Sequence, residues 1–223
     1  MPTLLALDTS AAASVALVAD GETRAHWTAG DTTSHAEALT PAVQQVLAEA
    51  GVGGGDLDGI AVGVGPGPFT GLRAGLATAE ALGFGWDVPV HGVCSLDALA
   101  HRAAVHAFSV GLEEYVVAID ARRREVYWSH HVQVGGQATT LHGPFVTPAA
   151  EVTALPVYGA GAGLYPEQVR AVPGWEDAVP EAAAVGEVAE LGLRRGRGLR
   201  PLTPLYLRES DAKVPGPRKR ATA

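Results

Sequence analysis

The order of apolar runs and helical periodicities along this chain predicts an α/β protein made of two similar halves. Each half is expected to hold a mixed sheet that opens with a three-strand antiparallel meander and carries flanking helices. Three observations predict it. An apolar strand ending in aspartate, followed by two further strands, occurs twice, with Asp8 and Asp120 standing 112 residues apart. Strands then alternate with helical patterns, as in a sheet with parallel crossovers. Finally, one strand passes into a helix through Gly63-Val64-Gly65-Pro66-Gly67-Pro68-Phe69-Thr70-Gly71-Leu72-Arg73, the kind of junction at which α/β proteins place function.

Leu4-Leu5-Ala6-Leu7 forms the first strand and enters Asp8-Thr9-Ser10; Ser14 to Val18 and Thr23 to Trp27 complete the meander. Ser34 and Glu37 have capping-box spacing, and Leu39, Val43, Val46, Leu47 and Ala50 recur at helical intervals. Pro41 leaves two readings: a kinked helix begun at Ser34, or a fresh helix capped by Thr40 with Pro41 at its first position. Ile60 to Val64 is the next strand, and Thr70 is placed to cap a helix running to about Gly83. A strand at Pro89 to Val93 and a helix from Ser95 to about Ala104 complete a βββαβαβα half.

Tyr115 to Ile119, Glu125 to Val132 and Ala138 to Val146 repeat the meander. A strand at Leu155 to Tyr158 runs into Gly159-Ala160-Gly161-Ala162-Gly163, and a helix from about Ala182 to Leu193 carries Val185, Val188, Ala189 and Leu191. Gly192 to Gly198 reads as a linker, and Pro204 to Arg208 closes the ordered chain. The two halves share element order, not sequence. The domains expected are residues 1–105, residues 106–208 with a final segment packing back on the first half, and a basic flexible tail at 209–223.

The chain has 223 residues, 47% hydrophobic and 18% charged, enough to bury a sizeable core and too apolar for a disordered chain. It has no run of 18 apolar residues free of Gly, Pro and charge, so no membrane span is expected. Cys94 is the single cysteine, which excludes an internal disulfide or a thiolate zinc site. Met1-Pro2-Thr3 leads into a strand and not a signal sequence, so a cytoplasmic protein is expected. A net charge of −8 and a pI near 5.4 argue against a chain that grips nucleic acid alone. The cations Lys213, Arg218, Lys219 and Arg220 read as a solvated tail, with a contact to RNA or a partner as the second reading.

The Gly63 to Arg73 junction has two readings, an anion cradle of free N–H groups or a stiff turn packed on its own domain. On the helix that follows, Gly71, Gly75, Ala79 and Gly83 fall at i+4 steps and form a ridge with nothing larger than a methyl group. Each glycine costs a helix about 1 kcal/mol against alanine, which favours a packing reason. That ridge can lie on the protein's own sheet or meet another protein's helix. Cys94 and Ser95 lack a legible histidine-acid pairing, so Cys94 reads as a small core residue. No metal site is expected: the histidines show no HxxxH-type pair with a carboxylate, His35 and Glu37 stand too isolated, and His130-His131 in a strand read as surface or edge residues.

Leu4 to Ser10, His35-Ala36-Glu37, the GPGPFTGLR run at 65–73, Gly92 to Leu96, Asp120-Ala121-Arg122 with Glu125-Val126-Tyr127, and Pro204 to Arg208 together resemble the TsaB (YeaZ) family. Its members are subunits of the machinery that makes threonylcarbamoyladenosine on tRNA. The likeness spans nearly the whole chain, and FTGLR after a glycine-proline loop is its most specific part; Pro68 stands where the family usually has serine. It implies an actin-like, ribonuclease H-like fold of the sugar-kinase and Hsp70 type, with two halves facing a cleft.

In catalytically competent relatives the turn after each strand-ending aspartate holds phosphate and metal, and a later glycine-rich turn holds adenosine. Asp8, Thr9, Ser10, Asp120, Arg122, Gly159 and Gly161 take those places here, with two readings: a degenerate nucleotide cleft, in which Arg122 to Arg124 stand where a glycine would open the turn, or a structural role in which Asp8 and Asp120 only form their turns. The two metal-binding histidines of the catalytic TsaD-type paralogue correspond to Ser95 and Leu99.

The resemblance therefore implies a non-catalytic scaffold subunit with no catalytic residue, no peptidase activity and no firmly bound cofactor. ATP or ADP and metal are expected on the TsaD-type partner, a TsaE-type ATPase joins through the complex, and tRNA is met indirectly. The partner interface is expected on the helices around His35 to Ala50 and after Thr70, at His35, Glu37, Leu39, Val43, Phe69, Thr70, Gly71, Arg73, Gly75 and Ala79. A homodimer through the same face is an alternative assembly. The alternative function is a small-molecule kinase or ATPase using the cleft between Asp8 and Asp120.

Overall fold

The computed structural model describes residues 2–30, 35–196 and 198–208, apart from the side chains of residues 35 and 36. The capping serine Ser34, the His35 side chain and the tail cations Lys213, Arg218, Lys219 and Arg220 lie outside that range. Strands β1 (Thr3–Asp8), β2 (Ser14–Ala19) and β3 (Glu22–Thr28) form the first antiparallel meander. Strands β4 (Gly59–Gly63) and β5 (Val90–Val93) extend it in parallel, giving the order β3-β2-β1-β4-β5. In the second half β6 (Glu114–Asp120), β7 (Glu125–Val134), β8 (Gln137–Pro148), β9 (Pro156–Tyr158) and β10 (Arg170–Ala171) are ordered β10-β9-β6-β7-β8. The second sheet repeats the first strand for strand.

Alternation along the strands decides which helix covers which face. Leu5, Leu7, Val15, Leu17, Ile60 and Val62 pack under α1 (His35–Ala50) and α2 (Phe69–Trp86). Leu4, Ala6, Ala16 and Ala61 face the opposite way, onto α5 (Ala182–Arg194). In the second sheet Tyr115, Val117 and Ile119 pack on α3 (Ser95–Ser109), while Val116, Ala118, Val126 and Trp128 are covered by α4 (Ala160–Leu164) and residues 149–152. The halves thus exchange helices. Helix α3 follows the last strand of the first sheet yet packs on β6, β7 and β8, and α5 follows the last strand of the second yet packs on β1, β2 and β4.

Several boundaries differ from the sequence reading. Helix α1 runs unbroken through Pro41, which lies on its exposed side, where solvent can serve the carbonyl left without a donor. Helix α2 is capped at Pro68, not Thr70, because the extended backbone of Pro68 already turns the chain into the helix; its end is Trp86, with Asp87 left-handed at φ 57°. Helix α3 continues to Ser109 because Ala103, Ala104 and Ala107 are buried on the second sheet. His131 is neither surface nor edge: β7 is an inner strand, and the imidazole is fully buried beside Tyr115, ring centroids 5.7 Å apart. Among the described residues no helix is long and apolar enough to cross a membrane.

Candidate functional site

Asp8 closes β1 and is wholly buried. Its Oδ1 accepts hydrogen bonds from Ser10 N at 2.8 Å and Ser10 Oγ at 2.6 Å, and its Oδ2 accepts one from Ser95 Oγ at 2.7 Å. Ser95 Oγ in turn accepts from Gly65 N at 3.2 Å, and Ser95 N donates to Gly65 O at 2.8 Å. One serine at the start of α3 therefore ties the Asp8 turn to the glycine-proline loop. The loop lies directly on that turn: a Cβ at Gly67 would stand 2.7 Å from Ser10 Cα, so only glycine permits the approach. Thr9 Oγ1 donates to Gly71 O at 2.8 Å, and Gly75 faces the same hydroxyl. The carboxylate that the family resemblance assigns to phosphate and metal is engaged in joining the end of β1 to the start of α3, while its neighbour Thr9 ties the same turn to α2.

These contacts correct the expected interface. Gly71, Gly75, Ala79 and Gly83 are all buried, with Thr9 and Val90 against Gly75 and Gly83, so the small-residue ridge seats α2 on its own sheet. Leu39 and Val43 of α1 belong to the same core and are equally inaccessible to a partner. Small residues serve any close contact, and the sequence pattern alone does not say which neighbour is close. Glu37, Thr70 and Arg73 do face outward, while Phe69 is half-buried. Phe69 packs on Tyr206 with ring centroids 4.4 Å apart, and Arg73 Nε donates to Tyr206 Oη at 2.9 Å.

The outer side of α2 carries residues that the sequence reading passed over. Ala77, Glu80 and Ala81 are exposed, and Phe84 has 90% of its surface in solvent. The signal was present: Phe84 lies one residue past the Gly83 ridge, 100° round the helix, so it is a large aromatic out of phase with the buried stripe.

Asp120 is half-buried at the end of β6, where its Oδ1 accepts from Arg122 N at 2.7 Å and its Oδ2 pairs with Arg122 Nη1 at 3.1 Å. Arg122, Arg123 and Arg124 all adopt left-handed backbone, with φ of 60°, 54° and 65°. The C-terminal segment closes over this turn. Arg200 pairs with Gly92 of β5, Leu205 N donates to Val64 O at 2.8 Å, and Arg208 Nη1 donates to Ala121 O at 2.9 Å while its guanidinium pairs with Glu125. Leu205 packs into the cores of both halves.

The glycine turn after β9 is equally committed to its own chain. Gly159 N donates to Trp175 O at 3.1 Å and Ala160 N to Ala178 O at 2.8 Å. Gly159 has φ 106°, and both it and Gly161 press on the Ala118 backbone. Leu99, at the second position where the resemblance places a metal-binding histidine, is buried and would touch a Cβ at Gly159. Burial pushes the Cys94 thiol up to about 12, so it is a protonated core group, not a thiolate. Among the described residues no group of three His, Cys, Asp or Glu side chains is placed to hold a metal ion.

Two topologically equivalent five-stranded sheets with exchanged helices, each with an aspartate turn at the end of its first strand, define an actin-like α/β protein. A family model described as "TsaD: tRNA N6-adenosine threonylcarbamoyltransferase" matches residues 31–172. The chain is 42% identical over 183 residues to an uncharacterized protein of Mycobacterium tuberculosis, covering 82% of this chain and 79% of that one. It is 31% identical to the tRNA threonylcarbamoyladenosine biosynthesis protein TsaB of Escherichia coli, over 96% of this chain and 98% of the other. The solved structure of YeaZ from Pseudomonas aeruginosa matches with a TM-score of 0.77 at 34% identity, covering 93% of this chain and all of that one. The chain belongs to the TsaB (YeaZ) family.

Proposed function

We propose that this chain is the non-catalytic subunit of the complex that forms N6-threonylcarbamoyladenosine at position 37 of tRNA, and that it binds the TsaD-type catalytic paralogue. The observation that carries the non-catalytic part is the closed Asp8 turn. Freeing that carboxylate for a hydrated magnesium ion would break three hydrogen bonds and lift the loop at 65–67 from Ser10. The buried Cys94 and the engaged Ser95 support the reading that the chain has no peptidase nucleophile. ATP or ADP and metal are assigned to the partner, a TsaE-type ATPase to the assembled complex, and tRNA to contact made through the partner. The site of action is the cytoplasm.

The docking surface in this proposal is the outward side of α1 and α2. Ala77 and Ala81 let a partner helix approach closely, and Phe84 supplies an aromatic anchor whose exposure is costly until it is covered. The Phe69, Arg73 and Tyr206 group borders that surface. A homodimer would use the same face and compete with the paralogue.

Reconstitution tests the function. Modification of a tRNA transcript by the TsaD-type and TsaE-type partners should depend on this chain, and full-rate modification without it would overturn the proposal. Phe84→Ala and Ala81→Leu should each raise the dissociation constant for the paralogue at least about tenfold, a loss of about 1.4 kcal/mol. Magnesium-ATP titrated into the isolated chain should give neither strong binding nor turnover; turnover would restore the kinase reading.

A further inference from the structure

A cavity of about 440 Å³ opens between α3, α5, the start of β8 and residues 198–200. Neither the aspartate turns nor the outer side of α1 and α2 lines it, and its volume lies in the range of small-molecule sites. Val188 and Leu191 of α5 give it an apolar wall. Its polar side is built around Asp97, whose Oδ1 accepts from Thr140 Oγ1 at 2.9 Å.

Behind Thr140 stands a directed chain of donors. Ser129 Oγ lies 2.7 Å from His131 Nε2, and His131 Nδ1 lies 3.4 Å from Thr140 Oγ1. Burial holds the His131 pKa down to about 3, so the ring is neutral. The tautomer that serves both neighbours accepts from Ser129 and turns its N–H toward Thr140, whose own proton goes to Asp97. Every donor points toward that one carboxylate oxygen.

The other oxygen, Oδ2, makes no hydrogen bond among the described residues, and Asp97 forms no ion pair there. Its burial raises its pKa, which the Thr140 hydrogen bond and the positive charge of Arg200 offset only in part. Arg195 completes the wall, with Nη2 donating to Gln137 Oε1 at 2.7 Å. A carboxylate with one open oxygen and two arginine residues, one of which, Arg200, acts on that carboxylate by its charge, therefore line a single cavity. A simple anion leaves the open Asp97 oxygen unpaired, and a simple cation leaves the arginines without a counter-charge. A ligand bearing both charges satisfies both.

We propose that this cavity binds a small zwitterion of the free α-amino acid class, with its ammonium group on Asp97 Oδ2 and its carboxylate toward Arg195 and Arg200. Its side chain then lies against Val188 and Leu191. The full chain titrated with the standard amino acids, by thermal shift and calorimetry, tests this. At least one should give a saturable rise in Tm of about 2–4 °C. The methyl ester of that amino acid, which lacks the carboxylate, and its N-acetyl form, which lacks the ammonium group, should each bind at least about tenfold more weakly.

Asp97→Asn keeps an acceptor for Thr140 and should lose the same factor, as should Arg200→Ala. Arg200 is exposed, so its variant reads binding even where a change at Asp97 disturbs the fold. The proposal is overturned by silence across all amino acids, by equal binding of the ester and N-acetyl forms, or by unchanged binding in the Arg200→Ala protein.

Discussion

The two halves have the same sheet and different coverings. Between β3 and β4 the first half has the 16-residue α1, and between β4 and β5 the 18-residue α2. At the matching places the second half has a 3-10 turn at Ala149–Glu151 and the five-residue α4. The short covering suffices, because Val116, Ala118 and Val157 are fully or almost fully buried all the same. Long outer helices are therefore not required to close an actin-like half of this size. Their inner sides form a core, and their outer sides are surplus to folding, which is where a partner surface can be built without loss of stability.

The largest test of this comparison concerns the exchanged helices. A fragment of residues 1–105 keeps α1 and α2 but lacks α5, so Leu4, Ala6 and Ala16 lose their cover. It should show no cooperative thermal transition by near-ultraviolet circular dichroism, and a sharp two-state melt would refute the dependence on α5. Next come two leucines on one helix. Gly75→Leu drives a side chain into Thr9 and should cost about 3 kcal/mol in urea denaturation, whereas Ala81→Leu on the outer side should change stability by less than about 0.5 kcal/mol. Equal costs would mean that the two sides of α2 are not distinct.

The second half carries its own signature in acid. His131 is held neutral, with a folded pKa of about 3 against an ordinary value of 6.5, so the unfolded chain binds the proton first. Stability from this group is complete above pH 6.5 and falls by about 1.4 kcal/mol per pH unit as the pH drops toward 3. Asp97, raised by burial, opposes this near the bottom of the window. His131→Gln should flatten the acid limb of a stability-against-pH curve, and an unchanged limb would assign it to other groups. The smallest effect is expected at the β6–β7 turn. Arg124→Gly relieves a left-handed arginine and should raise stability by about 1 kcal/mol, with no change if the turn relaxes freely.

Much of the architecture was legible from periodicity. The strands ending at Asp8 and Asp120, the meander after each and the βββαβαβα order all follow from runs of apolar residues and their spacing. The site was harder to read. The glycine ridge of α2 announced close packing, yet Thr9 and Val90 took it, because i+4 spacing defines a surface and not its neighbour. His131 read as peripheral although the expected meander already made its strand central, because its burial depends on α3 arriving from the other half to cover that face of β7. Phe84 was visible only as an aromatic off the stripe, and its exposure depends on which elements pack around α2.

The chain by itself determined the two-half α/β plan, the family likeness and the residue types available at each turn. These are properties of local pattern, in which each strand or helix reports on its own faces. Only the tertiary structure decided that Ser95 occupies the Asp8 carboxylate, that the Gly63 to Arg73 junction lies on its own first turn, and that α3 and α5 cross between halves. Those outcomes arise between segments far apart in sequence, where hydrogen bonds and close approach depend on which surfaces meet.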